Sequence, residues 1–132
     1  MQVTEIYKSL QGESTYAGLP CIFVRLTGCN LRCSWCDSEF SFSGGRKMAL
    51  HEVLSEVARL SPSGGLVEIT GGEPMLQERE LVPFMQQLLD SGYTVLIETS
   101  GERPLGTARS GPSTGAGTTT SIRPPPPACS RP

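Results

Sequence analysis

Histidine is nearly missing from this chain: there is one, His51, in 132 residues. A structural zinc needs four nitrogen or sulfur ligands, and no fourth histidine or cysteine stands at a suitable local spacing to complete one. No stretch is long and apolar enough to cross a bilayer. The opening MQVTEIYKSLQGE lacks a basic segment followed by an apolar one, so a secretory signal is not expected. Nor is there an excess of either charge. With 11 Lys and Arg against 13 Asp and Glu, the net charge is −2, and bulk electrostatics give no reason to expect a nucleic-acid or acidic-membrane partner. The five cysteines are too few and too clustered for a disulfide scaffold, since three fall between positions 29 and 36. Such clustering points instead to metal or redox chemistry in a reducing compartment, and a cytoplasmic location is the expectation.

Apolar residues make up only 37% of the chain, while Gly (15) and Pro (11) are plentiful. The excess lies at one end. Residues 105–132 hold 19 Pro, Gly, Ser or Thr among 28 positions, no aromatic and no acid, and Leu105 and Ile122 are the only large aliphatics. Net charge is −5 over residues 1–104 and +3 over this tail. So little apolar surface cannot offset the entropy of ordering the chain, which predicts a disordered low-complexity tail over 105–132, with polyproline II at Pro124–Pro127. A proline-rich ligand for a partner domain is the functional alternative there.

Residues 1–104 read as one folded domain. CIFVRLTG (21–28) has the β-branched, apolar content of a buried strand. MALHEVLSEVARL (48–60) places Leu50, Val53, Leu54, Val57 and Leu60 on one face at helical spacing. LVEIT (66–70) predicts a short strand, QERELVPFMQQLLDSG (77–92) a helix that starts or kinks at Pro83, and TVLIE (94–98) a further strand. Strand–helix–strand–helix–strand of this kind predicts an α/β fold with parallel strands and right-handed crossovers.

Directly after the first of those strands comes Gly28-Cys29-Asn30-Leu31-Arg32-Cys33-Ser34-Trp35-Cys36-Asp37. Three thiolates on an irregular loop can converge on one inorganic centre. A cubane has four irons, so three cysteines leave one iron open to a non-protein ligand. A zinc site completed from afar, a plain electron-transfer cluster and buried structural thiols are the competing readings. Cys21, by contrast, opens an apolar strand and reads as a small buried hydrophobe, and Cys129 as a bystander. The Cys-x3-Cys-x2-Cys loop, with Trp35 before the last cysteine, resembles the radical S-adenosylmethionine enzymes. That resemblance implies a partial (β/α) barrel, a 4Fe–4S cluster on Cys29, Cys33 and Cys36, and S-adenosylmethionine bound at the open iron.

Further motifs fit the same picture. Thr70-Gly71-Gly72-Glu73-Pro74 ends the second strand, where glycines let backbone approach a ligand and Glu73 supplies an acceptor. Glu98-Thr99-Ser100-Gly101 ends the third, with a polar turn as the bland alternative. Gln11 and Glu13 flank Gly12 on a segment too polar for core, suited to the polar edge of a heterocycle. Arg25 lies in an otherwise apolar strand and needs an anion, either a structural ion pair or a substrate carboxylate. Asp37-Ser38 offers hard oxygen donors that could help hold Mg²⁺.

Taken together, these segments resemble the 7-carboxy-7-deazaguanine synthases over residues 1 to about 104. The resemblance implies conversion of 6-carboxy-5,6,7,8-tetrahydropterin to 7-carboxy-7-deazaguanine with loss of ammonia, without an assigned protein acid or base. Leu10, Gln11, Gly12, Glu13, Arg25 and Thr70 would contact substrate. Trp35, Cys36, Asp37, Gly72, Glu73, Glu98 and Ser100 would contact S-adenosylmethionine, and Ser38 would take the Mg²⁺ position. A homodimer and a flavodoxin-like electron donor are likewise implied. The resemblance stops near Pro104-Leu105, where the text changes as abruptly as at a reading-frame change, so the C-terminal half of the barrel is expected to be missing. A glycyl-radical activating enzyme would share the triad and the GGEP segment but has no need of Arg25 and the Leu-Gln-Gly-Glu segment. An inactive iron–sulfur-binding fragment is the non-enzyme alternative.

Overall fold

The computed structural model describes residues 1–103, together with the strand segments 119–122 and 129–130. Its first element is a strand with little periodic signature: β1 (Gln2–Leu10) turns back into β2 (Pro20–Leu26), antiparallel, with Leu10 opposite Pro20. The turn is closed by Gln11 N–H to Leu19 O at 2.8 Å and Gly18 N–H to Gln11 O at 2.7 Å. After two short strands, β3 (Arg32–Cys33) and β4 (Arg46–Lys47), come α1 (Leu50–Leu60), β5 (Gly65–Gly71), α2 (Glu78–Asp90), β6 (Tyr93–Thr99), β7 (Thr119–Ile122) and β8 (Cys129–Ser130).

Six strands form one sheet in the order β4-β1-β2-β5-β6-β7, and β3 pairs with β8. β2, β5 and β6 run parallel, as the alternating pattern predicts, and β7, which it did not foresee, adds parallel to β6. β1 and β4 pair antiparallel, so the sheet is mixed. The disorder expected for 105–132 falls mostly outside the described residues; within that stretch, β7 and β8 are extended backbone.

Successive side chains of a strand point to opposite faces, and this sorts the sheet into two surfaces. Ile22, Val24 and Leu26 of β2, Val67 and Ile69 of β5, and Val95 and Ile97 of β6 share one core with Val53 and Val57 of α1 and Leu81, Phe84 and Leu88 of α2. The register of β1 slips by one between Val3 and Glu5, a bulge that lets Val3 join that core while Glu5 lies opposite Arg25. The alternate positions, Glu5, Tyr7, Phe23, Arg25, Glu68, Thr70, Leu96 and Glu98, therefore belong to the other face. α1 shows the predicted stripe, and Glu52 accepts from the Ala49 N–H at 2.6 Å to cap its start. α2 begins at Glu78 and passes through Pro83 rather than starting there.

Where β2 and β5 end, their backbones nearly touch. Gly71 has φ +156°, and a Cβ there would lie 2.4 Å from Leu26 O. A side chain at this position would separate the two strand ends on which the site is built.

Candidate functional site

The cysteine loop leaves β2 at Gly28 and is stitched at once to the end of β5. Glu73 N–H donates to Gly28 O at 2.8 Å. A Cβ on Gly72 would lie 2.4 Å from Gly28 O and 2.6 Å from Cys29 Cβ, so only glycine lets these segments abut. Within the loop, Leu31 N–H donates to the Cys29 sulfur at 3.4 Å, and Cys36 N–H to Cys33 O at 3.1 Å. Arg32, which no sequence motif singled out, braces the loop: its Nη1 reaches Cys29 O (3.0 Å) and Leu31 O (2.6 Å), and its guanidinium lies 4.2 Å from the centre of the Phe42 ring.

Around this loop lies an open cleft with a cavity volume of ≈ 220 Å³. Cys29, Cys33 and Cys36 all line it, as do Trp35, Asp37 and Ser38 from the same loop. The strand ends add Arg25, Thr70, Gly72, Glu98 and Ser100, and the β1–β2 turn adds Glu13. Residues far apart in the chain thus meet at the C-terminal ends of parallel strands, where open α/β sheets bind ligands. Trp35 is half exposed. Ser38 donates to Asp37 Oδ1 at 2.8 Å, joining the two hard oxygen donors.

Arg25 combines both readings of a charge in an apolar strand. Its Nε binds Glu5 at 2.8 Å and its Nη2 reaches the Tyr7 hydroxyl at 3.4 Å, while Phe40 lies 5.4 Å from the guanidinium. Burial works against the charge, but Glu5 and Tyr7 outweigh it and hold the guanidinium above its ordinary value. Among the described residues no hydrogen bond is made through Nη1, and Arg25 lines the cleft. On β5 and β6, Thr70 donates to Glu98 Oε2 at 3.0 Å.

Four residues expected at the site stand outside this lining: Leu10, Gln11, Gly12 and Glu73. Glu73 is buried at 1% exposure and its carboxylate is fully engaged. It accepts from Met75 N–H (2.9 Å), Thr99 Oγ1 (2.8 and 3.0 Å), Ser100 N–H (2.9 Å) and Ser100 Oγ (2.7 Å). Such a carboxylate ties the end of β5 to the end of β6. Gln11 was expected on a segment too polar for core, yet it is 3% exposed. Its amide nitrogen donates to Glu68, a buried carboxylate that no sequence motif marked. Asn30, also unmarked, donates to Glu102 at 2.8 Å, and its Oδ1 is buried without a partner among the described residues.

The donor chemistry of the cleft fits an iron–sulfur cluster in one respect and has a requirement in another. Three sulfurs on one loop are the soft set such a cluster takes. Cys29 and Cys36 are free thiols, whereas Cys33, whose backbone pairs with Cys129 across β3 and β8, is disulfide-bonded and must be reduced to serve. Among the described residues no group of three or more His, Cys, Asp or Glu side chains is already gathered to hold a metal ion. Among them, too, no helix is long and apolar enough to cross a membrane.

Comparison with known proteins gives a consistent result. The model of the Radical SAM superfamily matches residues 23–109. The chain is 75% identical over 105 residues to a 7-carboxy-7-deazaguanine synthase of Koribacter versatilis, covering 80% of this chain and 46% of that protein. A protein of the same name from Thermoplasma acidophilum is 48% identical over 101 residues, covering 76% and 47%. Among solved structures, QueE from Escherichia coli superposes with a TM-score of 0.73 at 27% identity, over 92% of this chain and 59% of that one. The chain thus spans about half the length of the curated relatives it matches.

Proposed function

The chain belongs to the radical SAM superfamily, and on that premise we propose that its cleft is the N-terminal part of a lyase site that converts 6-carboxy-5,6,7,8-tetrahydropterin to 7-carboxy-7-deazaguanine, in queuosine and deazapurine biosynthesis. The observation that carries this reading is the meeting, in one cleft, of the cysteine loop with Arg25, Thr70 and Glu98 from three neighbouring strands.

Cys29, Cys33 and Cys36 would hold the 4Fe–4S cluster, which when bound supplies the electron that cleaves S-adenosylmethionine. Trp35, Cys36, Asp37, Gly72, Glu98 and Ser100 would contact that cosubstrate. Glu73 would serve it indirectly, by holding Ser100 and the glycine turn in place. Arg25, fixed at its back by Glu5 and Tyr7, would turn its remaining guanidinium edge to the substrate carboxylate. Thr70 and Glu13 would meet the pterin's polar edge, as would Leu10 and Gly12 on either side of Gln11. Ser38, joined to Asp37, would take Mg²⁺ beside a substrate oxygen. A flavodoxin-like reductant, a homodimer and a cytoplasmic location complete the reading.

Anaerobic reconstitution with iron and sulfide tests it, followed by reduction and addition of S-adenosylmethionine with and without the carboxytetrahydropterin. Deazaguanine product that depends on S-adenosylmethionine is the expected result; loss of ammonia leaves the oxidation level unchanged, so 5′-deoxyadenosine need not accumulate with it. 5′-Deoxyadenosine without that product would count against the pterin reading. One observation favours a second reading, an iron–sulfur-binding piece without turnover: the chain spans about half the length of its relatives. That reading predicts a cluster with neither deazaguanine nor 5′-deoxyadenosine formed.

A further inference from the structure

Glu68 stands in the middle of β5, between Val67 and Ile69, in a parallel strand covered on both faces. Such strands are usually apolar throughout, and a buried carboxylate without a partner is costly. Glu68 is 9% exposed and its partner is Gln11, itself 3% exposed, whose Nε2 donates to Glu68 Oε2. On its other side the same amide accepts, through Oε1, from Glu13 N–H at 3.0 Å. These neighbours fix the amide one way round. Reversed, it would set oxygen against carboxylate and NH₂ against N–H.

Gln11 also closes the β1–β2 turn with its backbone, through Leu19 O and Gly18 N–H. All four of its polar groups are therefore engaged, and the side chain links the turn to the sheet beneath. The turn needs such a hold. Ser14 has φ +63°, a left-handed conformation that a residue other than glycine adopts at a cost. Glu13, whose N–H is held by Gln11, is the residue of this turn that lines the cleft.

We propose that Glu68 is a positioning residue: by holding the Gln11 amide inward it fixes the 11–19 turn, and so sets where Glu13 meets the substrate. The role of the cleft as a pterin site rests on the function proposed above; the hold on the turn does not. Gln11 thereby acts on the ligand through Glu13, and not through its own amide or backbone, which the turn and Glu68 engage.

The full-length chain and two substitutions test this. Glu68→Gln keeps an acceptor for Gln11 and removes the charge. Glu68→Val keeps a good strand former and removes the acceptor; Glu68→Thr, too short to reach Gln11, replaces it should the valine variant not fold. Two quantities are read: hydrogen exchange of the Glu13 amide and its turn, and affinity for 6-carboxypterin followed by ligand fluorescence anisotropy. In Glu68→Val, exchange is expected to rise and affinity to fall, each about tenfold, the scale of one lost buried hydrogen bond. In Glu68→Gln both are expected to stay within about twofold of the parent. Unchanged exchange in Glu68→Val overturns the proposal, even if affinity falls, because Glu68 would then touch the ligand itself. Glu68→Gln as damaging as Glu68→Val also overturns it, since charge and not the hydrogen bond would be acting. If the parent chain does not bind the pterin, the substrate reading fails while the exchange measurement still decides the role of Glu68.

Discussion

Gly72 carries no side chain because the cysteine loop occupies the place where one would stand. Gly72→Ala sets a Cβ 2.6 Å from Cys29 Cβ and 2.4 Å from Gly28 O; Gly28 is tied to Ser41 and Glu73 through its backbone, and Cys29 is held by Leu31 N–H and Arg32. The variant is expected to lose about 1–3 kcal/mol of stability, as overpacked sites do. It should also take up less iron on reconstitution, measured by iron per chain beside thermal unfolding. The cysteines differ in the same local way. Cys21 is buried, and burial, with the Glu68 charge adding to it, pushes its thiol up to about 12. At pH ~8 its thiolate is then a fraction on the order of one in ten thousand. Alkylation of the native chain is expected to label Cys29 and Cys36, to label Cys33 only after reduction, and to spare Cys21 throughout. Peptide mass spectrometry reads this directly, and labelling of Cys21 at the rate of Cys29 would refute the buried-thiol assignment. The burial of Cys21, and the gathering of Cys29, Cys33 and Cys36 along one cleft, were legible because local context decides them. The target of Glu73 was not: its acceptors serve Thr99 and Ser100, brought near only by the parallel pairing of β5 and β6.

At the scale of elements, periodicity was readable wherever one face is uniformly apolar. α1, β2, β5, α2 and β6 lie where the pattern puts them because each gives one clean stripe to the same core. β1 hides for two reasons: the slip between Val3 and Glu5 breaks its alternation, and its other face carries Glu5, Tyr7 and Ser9 toward the polar side. β3 and β4, of two residues each, have no period to read. Pro83 misled in a different way. It lies on the exposed side of α2, so the carbonyl deprived of its N–H can turn to water and the helix continues. On the core-facing side, Phe84 is fully buried between α2 and the sheet. Phe84→Ala is expected to cost about 3–5 kcal/mol, the range for removing a buried aromatic side chain. Chemical denaturation measures it. A loss below about 1 kcal/mol, the level of a surface substitution, would show that α2 is not packed as described.

For the molecule as a whole, the polar face of the sheet sets how stability responds to pH. Glu68 is the informative group, because burial raises its carboxyl above the ordinary range, with Glu98 and Glu13 adding to the shift and Gln11 and Arg25 opposing it. A raised native value means that the folded chain holds this proton more tightly than the unfolded chain. The stability it contributes is complete below the unfolded value, about 4.3 for glutamate, and is lost as pH rises through the raised native value. Carboxylates held low act in the opposite sense, as Glu56 does beside Arg59, and give the usual weakening in acid. Comparing the parent with Glu68→Gln cancels these, since every other group is shared. The melting temperatures of the two are expected to be close at pH ~4 and to separate as pH rises above the ordinary glutamate value, with Glu68→Gln the more stable at neutral pH. A constant difference across the range, or one that grows toward acid, would mean that Glu68 is ionised without penalty. A gain at neutral pH would show that the buried charge of Glu68, and not the hydrogen bond to Gln11 that the glutamine keeps, is what lowers the stability of the fold.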